Sequence, residues 1–176
     1  VAHDGPDAEA LSRMLTRIEA IVERNVTLAD QTHTLELDAV DFRNRAETAW
    51  SEVGTDTEIS FRLMGGGKLA ADDRLLGLFL TSLLKNRLQR TSVSPSPTQL
   101  VVGTTVDGFY LDDDGPRPST EERAATSEED QLLGVDYESV ELSVARRIAD
   151  LHGWELTLST SELGGTRLEV TGVTWK

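Results

Sequence analysis

The segment from Asp72 to Gln89, DDRLLGLFLTSLLKNRLQ, constrains the fold more than any other part of the chain. Leu75, Leu76, Phe79, Leu80, Leu83, Leu84 and Leu88 recur at spacings of three and four. That stripe is too wide for a helix lying on a surface, so the helix starting at Asp72 must be almost fully buried. Its cover is written in the alternating segments that follow. Thr98 to Val106 and Phe109 to Asp112 flank Asp107-Gly108, a strong short hairpin signal. WELTLST and TRLEVTGVTW alternate around Gly164-Gly165 and read as two further strands.

The rest of the chain fits around this centre. Pro6-Asp7 opens an amphipathic pattern of Leu11, Met14, Leu15, Ile18, Ile21, Val22 and Val26, predicting a long helix to about Ala29. DQTHTLELD reads as a loop with a short extended piece, and Asp41 is a good N-cap for a helix over Phe42–Val53. TEISFRL alternates as a strand that MGGGK ends. From Gly115 to about Asp136 the chain is polar and aperiodic, as in a long mobile loop. Tyr137 to Leu151 is helical and stops at His152-Gly153, where Gly supplies a left-handed cap. The order of elements predicts an α+β fold, a two-layer α/β sandwich with helices on one face of a mixed, mostly antiparallel sheet.

Composition narrows the function classes. The 176 residues carry a net charge of −14, with 31 acidic and 17 basic residues. Such a surface repels a phosphate backbone, so no nucleic-acid partner is expected. Of the basic residues only Lys68, Lys85 and Lys176 are lysines. An acidic, lysine-poor surface points to a halophilic protein, whose self-repulsion molar salt screens within about 3 Å; an acidic mesophilic protein is the alternative. There is no cysteine, hence no disulfide framework or thiol chemistry. No run of about 18 apolar residues spans a membrane, and VAHDGPDAEA lacks the features of a signal peptide. A cytoplasmic chain is the expectation.

LLGLFLTSLLKNRLQRT, the hairpin into DDDGP, a polar lid, and VARRIADLHGWELTLSTSELGGTRLEVTG together resemble the ATP-binding catalytic domain of sensor histidine kinases, most of all the haloarchaeal type. The resemblance implies a histidine kinase/Hsp90-like ATPase domain over 35–176. Over 1–34, it implies a helix similar to the second one of the dimerisation and phosphoacceptor hairpin. The cofactors implied are ATP and Mg²⁺. Asn86 matches the Asn whose amide oxygen holds the metal, a role that suits a hard cation needing fixed oxygen ligands. Asp113 matches the acceptor of the adenine amino group, and Gly115 the first Gly of an Asp-x-Gly-x-Gly motif. Thr166 matches a Thr that supports that Asp. As a calcium loop the Asp112–Asp114 run fails, since ligands do not alternate over about twelve residues.

The same motifs also depart from the family's pattern. Ser82 stands where a second Asn is usual, and Arg87 replaces the small residue after Asn86. That cation either clashes with the adenosine pocket or reaches a phosphate. Arg117 replaces the second Gly of its motif. The Gly-rich turn that presents N–H groups to phosphates is Tyr137, Glu138, Ser139, Val140, Glu141 and Leu142, with no Gly and two carboxylates. No phosphoacceptor is evident: Gly5-Pro6 breaks any helix at His3-Asp4, His33 lies in a loop, and His152 ends a helix. Glu121, Glu122, Glu128, Glu129 and Asp130 read as a solvated lid. Trp154 and Trp175 read as sheet-packing residues. Two functions stay open. One is a two-component signalling domain, with weak or lost ATP binding, that addresses a phosphoacceptor hairpin or a response regulator. The other is a non-catalytic pseudokinase module that binds a partner, or a second copy, through its N-terminal helix. Whether the chain is an enzyme stays undecided, and as a catalytic residue none is assigned.

Overall fold

The computed structural model describes residues 35–54, 57–89, 97–120, 123 and 140–176, all within the compact unit Leu35–Lys176. The Pro6–Ala29 pattern, its partner surface, Glu121, Glu122, the acidic lid from Glu128, and Tyr137–Ser139 lie outside the described residues. The elements run β1 (Asp38–Asp41), α1 (Phe42–Val53), β2 (Ser60–Met64), β3 (Lys68–Ala71), α2 (Asp73–Gln89), β4 (Gln99–Thr104), β5 (Phe109–Asp113), α3 (Val140–His152), β6 (Glu155–Thr160) and β7 (Thr166–Thr171).

Five strands form a mixed sheet in the order β2-β4-β5-β7-β6. Only β2 and β4 run parallel, and the crossover between them carries α2. The pairs β4–β5, β5–β7 and β6–β7 are antiparallel. Alternation sorts each strand's side chains onto two faces. Leu100, Val102, Phe109, Leu111, Leu156, Leu158, Leu168 and Val170 point at the helices and are buried. There they meet Leu75, Leu76, Phe79, Leu80, Leu83 and Leu84 of α2 and Val144, Ala145, Ile148 and Ala149 of α3. The mostly antiparallel α/β sandwich expected from the pattern is the observed fold.

An aromatic cluster ties the layers together. Phe109 of β5 packs on Phe42 of α1 with centroids 4.7 Å apart and edge-on to Phe79 of α2 at 6.0 Å. Trp154 joins at 5.7 Å from Phe79, and Trp175 meets Phe42 at 5.7 Å. Both tryptophans therefore pack against rings beside the sheet, as their apolar faces demand.

Helix ends follow their caps. Asp41 accepts from Asn44 N at 3.0 Å and starts α1; Asp72 accepts from Leu75 N at 3.1 Å and starts α2. His152 closes α3 by joining it to α2: its Nε2 accepts from Asp72 N at 3.1 Å while Nδ1 lies 2.9 Å from the Ile148 carbonyl. With an acceptor needed at Nε2 and a donor at Nδ1, the ring is the neutral Nδ1–H tautomer. Gly153 follows with φ +70°.

Two elements differ from the sequence reading. The sequence reading ends the MGGGK break at Lys68 with no element before Asp72, but Lys68–Ala71 is β3, which pairs antiparallel with β1. Four residues are too few to show a period, and β3 is held by partners distant in sequence, including Thr174 O and the Leu69–Trp175 bridge. The β4–β5 hairpin turns through four residues, Thr105–Gly108, because Thr104 pairs with Phe109. Thr105 N donates to the Gly108 carbonyl at 2.8 Å within this turn, and the Asp107 carbonyl accepts from Val173 N at 2.8 Å.

Candidate functional site

Three consecutive carboxylates leave β5, and alternation sends them to three different places. Asp112 points to the sheet face away from the helices. There it receives Arg167 Nε at 2.7 Å and Nη2 at 2.6 Å, a bidentate pair. The Arg167 guanidinium lies 4.2 Å over the Tyr110 ring. Its hydrogen bond to Asp112 and the charge there hold it protonated even more firmly than usual. Asp114 turns back and accepts from Thr98 N at 2.7 Å and Gln99 N at 2.9 Å, fixing the start of β4. Burial pushes this carboxyl up, but the Thr98 hydroxyl and the surrounding amides outweigh it and hold it below the ordinary carboxylate range.

Asp113 points inward, on the face of Phe109 and Leu111, and is 2% exposed. Its Oδ1 accepts from Gly115 N at 2.9 Å and Thr166 N at 3.0 Å. Backbone comes this close because Gly165 adjoins it. A Cβ built on Gly165 would stand 2.6 Å from the Gly115 nitrogen, and closer still to Asp113. Thr166 therefore supports Asp113 through its amide. Its hydroxyl donates instead to the Pro116 carbonyl at 2.8 Å. Arg117, where a Gly was expected, reaches across with Nε to the Gly164 carbonyl at 3.2 Å and ties this exit to the β6–β7 turn.

The fourth side of the site is Arg87, in the last turn of α2. Its guanidinium is 1% exposed. Nη1 lies 3.3 Å from Asp113 Oδ2, while Nε, at 3.0 Å, and Nη2 both donate to Asn86 Oδ1. One side chain thus engages both Asp113 Oδ2 and Asn86 Oδ1, the two oxygens expected from the sequence resemblance to face a ligand. The structure brings Asn86, Asp113, Gly115 and Thr166 into one buried cluster, and Arg87 fills its centre. As placed, these residues do not fit adenine and a divalent cation: Asp113 Oδ2 faces a guanidinium, and Asn86 Oδ1 would have to hold the metal beside a positive charge. Ser82, one turn earlier on α2, is buried, and its hydroxyl has no hydrogen-bond partner among the described residues. Glu141 is buried in the first turn of α3, at a helix end whose dipole stabilises its carboxylate. Among the described residues no group of three or more acidic or His side chains could hold a metal ion.

Sequence reasoning anticipated a bulky cation at position 87 but not where it goes. The signal was present: a buried Arg needs an anion, and a period of two from Phe109 makes Asp113 the inward carboxylate of β5.

No family model matches the chain. The sensor protein RstB of Escherichia coli strain K12 is 26% identical over 182 residues, covering 96% of this chain; the chain spans 42% of that relative's length. Among solved structures, the cytoplasmic segment of histidine kinase QseC superposes with a TM-score of 0.58 and 21% identity over 97% of both chains. The chain has the histidine kinase ATPase fold. The ATP binding domain of PrrB from Mycobacterium tuberculosis shares this fold with a TM-score of 0.60 and 20% identity, over 78% of this chain and 98% of that one. Mycobacterial sensor histidine kinase MprB gives 0.62 and 16%, over 80% and 100%. Within the histidine kinase ATPase fold, the described residues contain no helix long and apolar enough to cross a membrane.

Proposed function

We propose that this chain is a two-component signalling domain derived from the ATP-binding part of a sensor histidine kinase, with its nucleotide site weak or lost. The observation that carries the reading is the Arg87 guanidinium lying between Asp113 Oδ2 and Asn86 Oδ1. A ligand must break that buried contact before meeting either oxygen. In this reading Asp113, Gly115 and Thr166 are the remnant of an adenine site and Asn86 the remnant of a Mg²⁺ ligand. The domain serves by protein contact, with a phosphoacceptor hairpin, a response regulator or a second copy as partner. A second reading, an active catalytic part that uses ATP and Mg²⁺, is favoured by the intact backbone cradle of Asp113.

Thermal melting in molar KCl with and without Mg-ATP separates the two. A site held at 100 times its dissociation constant adds about 2.7 kcal/mol to stability. The closed-site reading expects an unchanged melting temperature at millimolar nucleotide. A clear upward shift supports the catalytic reading instead.

A further inference from the structure

We propose that the seam between α1 and α2 is a binding cleft for a short zwitterion of dipeptide size, with its carboxylate toward Arg74 and its ammonium group toward Glu52. The cleft lies along the first half of α2, whereas Arg87 sits in the last turn of that helix. The inference therefore stands apart from the buried cluster around Asp113.

Three observations carry it. The first is the cleft itself. The two helices run side by side in the same sense: Arg45 meets Asp73 near both starts, and Glu52 meets Thr81 further along. Between them Arg45, Ala49 and Glu52 of α1 and Arg74, Gly77 and Thr81 of α2 face a cleft of about 270 Å³. At about 30 Å³ per water, this is room for about nine water-sized groups, the size of a small dipeptide. The second is Gly77. A Gly inside a helix is unfavourable relative to Ala, and packing does not demand one here. A Cβ on Gly77 would meet nothing nearer than the Arg45 guanidinium, at 3.6 Å. The missing side chain serves to keep the cleft open.

The third is the charge at the two ends. Asp73 holds Arg45 through Nε, at 2.7 Å, and through Nη2, which leaves Nη1 as a fixed donor beside Gly77. Among the described residues Arg74 and Glu52 make no ion pair. Glu52 has only a long contact from the Thr81 hydroxyl to its Oε2, at 3.4 Å. Arg74 and Thr81 are two turns of α2 apart, about 10 Å. An extended dipeptide covers about 7 Å of that, and the long side chains of Arg74 and Glu52 close the difference. Its carboxylate receives donors from Arg74 and Arg45 Nη1, and its ammonium group donates to Glu52. A ligand with one charge alone leaves the other end unanswered, so the cleft selects for both together.

Glycylglycine is the probe, with N-acetylglycylglycine and glycylglycine amide as forms that lack the ammonium group and the carboxylate. Each is titrated into the full chain, following binding heat and backbone amide NMR shifts. Glycylglycine should saturate, with the largest shifts in Phe42–Val53 and the first half of α2. Each capped form should bind at least about three-fold more weakly. Arg74→Gln should weaken glycylglycine by a similar factor and leave the amide form unaffected, and Glu52→Gln should do the same with the acetyl form. A merely structural role for either side chain would not sort the probes in this way. Gly77→Leu fills the cleft with a good helix former, and it should melt no lower than wild type while losing binding. If that variant does not fold, Gly77→Ala, whose methyl group fits, carries the same test with a smaller loss. No saturable binding, shifts centred outside the α1–α2 seam, or capped forms that bind as tightly as glycylglycine overturn the inference.

Discussion

Arg87 Nη1 stands 3.3 Å from Asp113 Oδ2, with the two side chains 1% and 4% exposed. The contact joins the last turn of α2 to the end of β5, between residues 26 positions apart. In water two such charges attract weakly. At this burial each has lost its hydration, so each depends on the other and on the amides around it. The pair is consequently both a structural tie between helix and sheet and the obstacle within the cluster.

Gly165 sets how closely the β6–β7 turn passes Asp113. Gly165→Ala is expected to cost about 2–3 kcal/mol, because its Cβ meets main chain as well as the carboxylate, and backbone cannot step aside cheaply. Gly153→Ala serves as the comparison. It meets nothing within 4 Å and suffers only the strain of φ +70°, about 1 kcal/mol. Urea denaturation of the two variants gives the order.

Asp114 makes stability depend on pH in the acid range. Its folded-state carboxyl lies below the ordinary value, so its contribution is present above an unfolded pKa of about 3.9 and disappears as pH falls through the lower folded value. Wild type should lose more stability than Asp114→Asn between about pH 5 and about pH 2. At neutral pH, Asp114→Ala should cost about 1–2 kcal/mol from the lost bonds to Thr98 and Gln99. Equal acid sensitivity in wild type and Asp114→Asn would count against this assignment.

Phe109 is the hub of the aromatic cluster, meeting Phe42, Phe79 and Trp154. Phe109→Ala should cost about 3–5 kcal/mol, since helices on both sides cannot close the space together. A loss under about 1 kcal/mol would mean that the layers are held elsewhere.

Much of this architecture was legible in advance because it is carried by local pattern. Asp41 announced α1, and the structure begins that helix at Phe42 and ends it at Val53 as expected. The α2 stripe required a sheet beside it. What escaped was set by partners distant in sequence. Lys68–Ala71 becomes a strand only because β1 and Trp175 lie alongside. Asp114 looks like surface acidity until Thr98 folds back onto it. In the Asp112–Asp114 run, alternation separates the outward Asp112 from the inward Asp113. Only the three-dimensional fold shows that the inward one meets Arg87.

The surface charge makes a separate prediction. With a net charge of −14 and few lysines, stability should rise as KCl is raised toward the molar range, because screening removes repulsion between carboxylates. Melting temperatures across a KCl series check it. A flat profile would indicate an acidic protein without adaptation to salt.

The central claim is that Arg87 and Asp113 are energetically locked together in the place of a ligand. A double-mutant cycle on stability, with Arg87→Met, Asp113→Asn and the double variant in molar KCl, tests it most directly. Each single change should cost about 3 kcal/mol by leaving a buried partner uncompensated, and the double should cost less than the sum by about 2 kcal/mol. Additivity within about 0.5 kcal/mol would show that the two side chains do not hold one another, and would contradict the account.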